Sequence, residues 1–130
     1  MSVMQPANDV GELSFDEYVA KAIFAMMNDP SRKWTVAALA RIAGLSRAAF
    51  ARRFTRATGR PPLRWLTEHR LRLAQKMLAG TELGLAGVAT EIGYVSEFAF
   101  AKAFKRLFGV APGLFRRNVN RETERVRAAA

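Results

Sequence analysis

The sequence reads LARIAG at residues 39–44 and VATEIG at residues 88–93, an offset of 49 positions. In both copies an alanine stands four positions before the closing glycine, Gly44 or Gly93. Alanine lets two helices cross closely, and glycine adopts the positive φ of a tight turn at little cost. Each copy therefore predicts a short helix that ends in a tight turn.

The two copies continue alike beyond the glycine, where the offset becomes 50 because Val95 has no counterpart. A serine that can cap a helix is followed by two phenylalanines, a glycine that ends the helix and a proline that opens the next. One match could arise by chance, whereas two copies in register favour a duplicated helix-turn-helix over an ordinary helical bundle. The paired positions are Ser46 and Ser96, Phe50 and Phe100, Phe54 and Phe104, Gly59 and Gly109, Pro62 and Pro112, and Trp65 and Phe115.

The rest of the chain also reads as helical, because no stretch alternates apolar and polar residues with period two. We expect an all-α fold of about seven helices that contains two helix-turn-helix units. Ser14 and Glu17 form a capping-box pattern before the first helix. Helices are predicted up to about residue 28, at 36–43, 47–58, 62–79, 86–92 and 97–108, and as a short last turn at 112–117. The tail that follows could extend this turn as a frayed helix.

These elements predict a domain organisation along the chain. The expected parts are a mobile leader at 1–12, an N-terminal helix with the first helix-turn-helix subdomain at 13–60, a linker helix at 61–80, a second helix-turn-helix subdomain at 81–118 and a basic tail at 119–130.

The composition excludes several classes of site. The 130 residues include no cysteine and a single histidine, His69, which rules out disulfides, thiolate chemistry and a histidine-based metal site. No apolar run reaches the ~20 residues of a membrane span, and the first residues do not form a signal peptide. We therefore expect a cytoplasmic protein with no catalytic residues, no cofactor, no metal and no membrane partner. An enzyme would need a convergent set of titratable groups.

The positive charge is concentrated in the middle of the chain. The formal net charge is +10, and residues 31–75 carry eleven basic residues against one acid, Glu68. Sixteen of the 21 basic residues are arginine, which suits bidentate contacts with phosphate and guanine. A high-GC genome that encodes arginine in place of lysine would give the same bias. This distribution predicts a polyanionic partner.

Helical wheels of residues 47–58 and 97–108 separate a core face from an outer face. The outer faces combine small residues with long cations, which permits close approach to base edges. Arg52 and Lys102 occupy equivalent positions there and are the first candidates for base contacts. The predicted core faces contain Phe50, Phe54 and Ala57 in the first helix, and Phe100, Phe104 and Leu107 in the second.

Several of these residues keep a second interpretation. Arg52 and Lys102 could be solvated surface cations. Phe98 could touch a thymine methyl group or pack on a neighbouring helix, and Glu97 could accept from cytosine N4 or complement the helix dipole. Phosphate contacts are expected from helix N-termini and flanking cations, each of which could instead be solvated. The phosphate candidates are Arg32, Lys33, Thr35, Ser46, Arg56, Arg60, Ser96, Lys105 and Arg106.

Residues 34–117 resemble the DNA-binding domain of AraC/XylS-type bacterial transcription regulators. Residues 92–117, IGYVSEFAFAKAFKRLFGVAPGLFRR, are similar to the C-terminal signature of that family, and residues 34–54, WTVAALARIAGLSRAAFARRF, are similar to members whose other half is a cupin-like effector-binding domain. This chain is expected to lack that domain. The resemblance implies a homeodomain-like fold in which a long linker helix joins two helix-turn-helix subdomains. It also implies base contacts at Arg47, Ala48, Ala51, Arg52, Glu97, Phe98, Ala101 and Lys102.

The linker helix predicts how the two subdomains would use DNA. About 18 residues span roughly 27 Å, close to the ~34 Å of one DNA turn, so we expect sequence-specific binding to two adjacent major grooves of double-stranded DNA with a modest bend. A monomer would suffice, because the two copies follow each other in one chain. The alternative is non-sequence-specific binding to DNA or RNA, and the resemblance also permits RNA polymerase as a partner.

Overall fold

The computed structural model describes residues 15–130, which form seven helices and no strand. The all-α fold predicted from the sequence is confirmed, and five of the predicted helices agree with the structure to within one residue at each end. The expected leader at 1–12 lies outside the described residues. The helices are α1 (Glu17–Asn28), α2 (Val36–Ala43), α3 (Arg47–Thr58), α4 (Pro62–Gly80), α5 (Leu85–Glu91), α6 (Glu97–Phe108) and α7 (Pro112–Ala129).

The described residues divide into two units, residues 15–67 and residues 68–130, and α4 passes from the first into the second. Each unit contains one helix-turn-helix, α2–α3 or α5–α6. In both turns the glycine has a positive φ, 82° at Gly44 and 97° at Gly93. The N–H of the next residue donates to the carbonyl five residues earlier, at 3.0 Å and 2.8 Å respectively. The repeat in the sequence is therefore a repeat of backbone hydrogen bonding.

The core of the first unit is built around two phenylalanines of α3. Phe50 and Phe54 are fully buried, with ring centroids 5.6 Å apart. Trp65 of α4 meets Phe54 edge to face at 6.1 Å. Residues of α1 and α2 close this core, among them Met26 and Leu39. The aromatic rings hold the inner face of α3 against the unit, so its opposite face is left to solvent.

The second unit repeats this arrangement around α6. Phe100 and Phe104 are fully buried with ring centroids 5.8 Å apart, and Phe115 meets Phe104 edge to face at 5.6 Å. The prediction that Leu107 belongs to this core is wrong, since 38% of Leu107 is exposed. The ring of Phe108, 4.7 Å from that of Phe104, packs at the last turn instead.

The first helix begins with an acidic cap that also binds α3. Asp16, rather than the predicted Ser14, is the N-cap of α1: its carboxylate accepts from the N–H groups of Tyr18 and Val19 at 2.9 Å and 3.2 Å. Ser14 itself lies outside the described residues. The other carboxylate oxygen accepts from Nε of Arg53 at 2.8 Å, and the guanidinium lies 4.7 Å over the ring of Tyr18. This contact ties the start of α1 to α3.

Arg116 of α7 links three segments of the second unit through backbone carbonyls. Its guanidinium donates to the carbonyls of Met77 and Leu78 at the end of α4, and to those of Thr81 and Leu83 in the following loop. The last carbonyls of a helix have no partner within the helix, so a side-chain donor stabilises this end. Arg116 thereby fixes the connection between α4 and α5.

The C-terminal helix is longer than the short turn predicted at 112–117. It continues through the predicted tail to Ala129, and from Asn120 onward every side chain is exposed. On this exposed surface Nη2 of Arg125 donates to both carboxylate oxygens of Glu122, at 2.9 Å and 3.0 Å. Arginine, glutamate and alanine favour helix, so local propensity accounts for the extension.

Replacing Asp16 with Asn keeps an oxygen that can cap α1 but removes the charge opposite Arg53. Partial burial raises the pKa of Asp16, but the hydrogen bonds from Arg53 and the two backbone N–H groups outweigh it, so the pKa lies below its ordinary value of 3.8. A lowered folded pKa gives stability that is present above the unfolded pKa and lost as the pH falls through the folded one. We expect Asp16→Asn to be less stable than the parent at pH 7 and equal to it well below pH 3.8.

Urea denaturation at a series of pH values measures this difference. Asp16→Ala, which removes the cap as well, should cost about 1 kcal/mol more than Asp16→Asn. If Asp16→Asn lowered the free energy of unfolding by the same amount at every pH, the ion pair between Asp16 and Arg53 would be contradicted.

Replacing Arg116 with Ala should lower the free energy of unfolding of the second unit by about 2 kcal/mol, because several charge-assisted hydrogen bonds are lost together. The neighbouring Arg117 is exposed and provides a matched control; Arg117→Ala should change stability by less than about 0.5 kcal/mol. Urea denaturation followed by circular dichroism measures both. Equal effects of the two substitutions would mean that the carbonyl contacts of Arg116 contribute nothing.

Candidate nucleic-acid interface

The outer face of α3 is a cationic surface with small residues between the cations. Arg47, Arg52 and Arg56 are exposed, and none of them pairs with a carboxylate among residues 15–130. Ala48 is exposed and Ala51 is half-buried at the base of this face. A shallow concavity is lined by Ala51, Arg52, Thr55 and Arg56. The structure therefore brings together the four base-contact candidates predicted on this helix.

Arg53, the remaining arginine of α3, contacts α1. Arg53 is held by Asp16 and by the ring of Tyr18, so its guanidinium is directed to α1. Its contacts fix the orientation of α3 within the first unit. The cations of α3 thus divide into one that anchors the helix and three that face solvent.

The N-termini of three helices present hydroxyl groups of the same kind. Thr35, Ser46 and Ser96 are the N-caps of α2, α3 and α6, and each side-chain oxygen accepts from the N–H three residues later, at 3.0 to 3.2 Å. A hydroxyl that accepts a hydrogen bond can still donate its own hydrogen. The positive end of the helix dipole lies at the same place. All three predicted hydroxyls are exposed and suited to a phosphate oxygen.

The outer face of α6 carries an exposed aromatic ring. Phe98 is 76% exposed, so the alternative in which it packs on a neighbouring helix of its unit does not hold. The Nζ atom of Lys102 lies 5.8 Å from the centroid of the Phe98 ring, within cation–π range. Glu97 is exposed in the first turn, where a carboxylate complements the helix dipole, and Ala101 is half-buried.

The remaining phosphate candidates fall into two groups. Lys33, Lys105 and Arg106 are exposed, as is Arg56 of α3. The guanidinium of Arg32 lies 4.6 Å over the ring of Trp34, and that of Arg60 donates to the carbonyl of Gly59 at 3.1 Å. These contacts restrain two of the cations at the ends of α1 and α3.

The single histidine of the sequence, His69, lies on α4. Burial lowers the pKa of His69, and the nearby charges of Lys76 and Arg72 lower it further, so the imidazole is neutral at pH 7. Between residues 15 and 130 no three histidine, aspartate or glutamate side chains are grouped as metal ligands. No helix in the same range is long and apolar enough to cross a membrane.

Sequence reasoning missed three residues that shape these surfaces. Arg53 and Arg116 act through contacts 37 and 33 to 39 residues away, for which no local pattern exists. Val95 is visible in the sequence as the one residue of the second copy that has no counterpart in the first, and in the structure it is 92% exposed just before α6. The insertion was the signal that could have found it.

Known proteins resemble this chain over the helix-turn-helix region. A family model described as a helix-turn-helix domain matches residues 39–118. A Streptomyces lividans protein described as an AraC-like transcription regulator is 43% identical over 103 residues, which are 79% of this chain and 34% of that protein. The chain belongs to the AraC family of transcription regulators. The family predicted from residues 34–117 is therefore confirmed.

Further relatives and solved structures agree with this family. The RCS-specific HTH-type transcriptional activator RclR of Escherichia coli is 44% identical over 94 residues, 72% of this chain and 33% of that protein. The DNA-binding domain of AdpA, a global transcriptional factor crystallised with a target DNA, has a TM-score of 0.78 and 29% identity, covering 82% of this chain and 96% of that domain. This chain spans about a third of the length of the curated relatives it matches.

Proposed function

We propose that this chain is the sequence-specific DNA-binding part of a transcription regulator, and that α3 and α6 each enter one major groove of double-stranded DNA. The outer face of α3 carries the proposal, since it combines two alanines with three solvent-facing arginines on a helix anchored from behind by Phe50 and Phe54. The likeness to the AdpA domain in its DNA complex supports it.

On α3 the proposed base readers are Arg47, Ala48, Ala51 and Arg52. The alanines allow the helix backbone to approach the base edges, and an arginine that reaches past them can donate two hydrogen bonds to O6 and N7 of guanine. Arg53 contributes by fixing the rotation of α3 against α1 through Asp16. On α6 the proposed readers are Glu97, Phe98, Ala101 and Lys102.

Phosphate contacts position the two helices on the duplex. We assign them to the capping hydroxyls of Thr35, Ser46 and Ser96, which lie where helix dipoles favour anions. The cations proposed for the same task are Arg32, Lys33, Arg56, Arg60, Lys105 and Arg106. Neutralising about six phosphates would make the logarithm of the binding constant fall with the logarithm of the salt concentration with a slope of about −5.

Two tandem reading helices in one chain need no two-fold symmetric site. We therefore propose that a monomer binds a non-palindromic site in which the two contacted segments lie in adjacent major grooves. From the family, we further propose that the regulator contacts RNA polymerase and that a separate domain binds an effector. The competing function is binding to DNA or RNA without sequence preference.

Competition distinguishes the two functions. A sequence-specific regulator should enrich one motif from a random duplex library and keep that duplex against an excess of random duplex and structured RNA. A non-specific binder would release it to both competitors in proportion to their amount. A palindromic motif that binds only a dimer would contradict the monomeric mode.

Arg52→Ala and Arg56→Ala should weaken binding in different ways. Loss of a guanine contact at Arg52 should reduce affinity for the selected site about tenfold to a hundredfold and relax the preference at one base pair. Loss of a phosphate contact at Arg56 should weaken selected and random duplexes alike and reduce the salt slope by about one. Fluorescence anisotropy titrations at several salt concentrations measure both.

Lys21 of α1 is exposed and lies outside the proposed surface, so Lys21→Ala provides the matched loss of one cation. Its affinity and its salt slope should equal those of the parent. A Lys21→Ala effect as large as that of Arg52→Ala would mean that net charge alone determines binding.

Ser46→Asp separates capping from phosphate contact at the start of α3. Aspartate caps helices as well as serine does, so thermal stability should stay the same. The carboxylate cannot donate to a phosphate and repels it, so DNA affinity should fall by about tenfold or more. Ser46→Ala is the converse control, which loses about 1 kcal/mol of stability through the missing cap. Unchanged DNA affinity of a folded Ser46→Asp variant would remove Ser46 from the interface.

A further inference from the structure

The two reading helices differ in chemistry at their first turn. In the first unit the residue equivalent to Phe98 is Ala48, and Val95 has no equivalent at all. In the second unit Val95 is 92% exposed and Phe98 is 76% exposed. These two side chains, which we call the apolar edge, lie three positions apart at the start of α6. The two copies of the repeat therefore differ at a position that is proposed to contact a base.

A cation completes this surface on the side of the following turn. Lys102 follows Phe98 by four residues on the same helix face, and its Nζ atom lies 5.8 Å from the ring centroid. The ring and the ammonium lie side by side, so the apolar edge is presented next to one hydrogen-bond donor. Such a pair matches a base step in which a thymine 5-methyl group lies next to the N7 and O6 acceptors of guanine.

We infer that the apolar edge of Val95 and Phe98 contacts thymine 5-methyl groups, and that Lys102 reads a guanine beside them. The inference rests on the proposed function and extends it, because it gives the two halves of the site different chemistry. The half contacted by α3 is read mainly through arginine donors, whereas the half contacted by α6 is read mainly through methyl groups.

A protein partner fits this surface less well than DNA. The apolar edge consists of two side chains set between Ser96, Glu97 and Lys102, all exposed and polar. Stable protein interfaces need about 800 Å² on each partner, with an apolar centre. The flanking cation and capping hydroxyl suit a polyanion, and the apolar edge suits an apolar group within it. In the major groove of DNA, the thymine methyl is such a group.

Deoxyuridine substitution tests the contact, since it removes only the 5-methyl group. A binding site is first selected from a random duplex library with the parent chain. Each thymine of that site is then replaced in turn, and affinity is measured by anisotropy. Arg52→Ala should relax base preferences only in the half of the site contacted by α3. In the other half, we expect one or two thymines at which replacement by deoxyuridine lowers the affinity about fourfold per methyl group.

Phe98→Ala should abolish the loss of affinity that uridine causes at the thymine contacted by Phe98. The variant lacks the ring, so it should bind the thymine and uridine duplexes equally well. Phe98→Leu should retain part of this loss, and Val95→Ala should affect the same or a neighbouring thymine. Phe24 of α1 is similarly exposed, and Phe24→Ala, as the matched control, should bind with the uridine pattern of the parent. Thermal unfolding checks that each variant is folded.

The outcomes separate this inference from the proposed function. If the parent selects no site, both fail. If it selects a site in which no uridine matters, or if Phe98→Ala keeps the full uridine pattern, the thymine contact alone is overturned, and the apolar edge is then left for a protein such as RNA polymerase.

Discussion

Burial of paired phenylalanines behind α3 and α6 is the constraint on which the other features depend. Phe50 and Phe54, like Phe100 and Phe104, face inward at a spacing of four residues and meet a further ring from the next helix. Burying aromatic rings supplies much of the stabilisation available to so small a unit. With the inner faces committed in this way, the opposite faces of α3 and α6 are left for function. The surface chemistry can then change without changing the core.

Local patterns predicted most of the fold. The glycine turns, the serine caps and the proline starts each have a backbone requirement that few residues satisfy, so the boundaries of α2, α3 and α6 agreed with the structure. The duplication strengthened every one of these predictions, since each motif occurs twice in register. The family followed from the same residues.

Contacts between distant residues could not be predicted in this way. Asp16 meets Arg53 and Arg116 reaches the carbonyls around the end of α4, and neither contact leaves a periodic trace in the sequence. In the second core Phe108 packs where Leu107 was predicted. This difference lies at the end of a helix, where a helical wheel does not describe the packing. For the site, the wheel identified exposed candidates and the serine caps were predicted, but only the structure shows that the Nζ atom of Lys102 lies beside the ring of Phe98.

Each unit closes a core of its own, and this has a consequence for how strongly the chain would hold DNA. Under the proposed function, two binding surfaces on one chain act through effective concentration: binding of one half makes binding of the other half intramolecular. The loss of either half would then cost its own contacts and also the benefit of linkage within one chain. A substitution that abolishes one of the two proposed interfaces would therefore weaken binding by more than that interface would contribute on a separate chain.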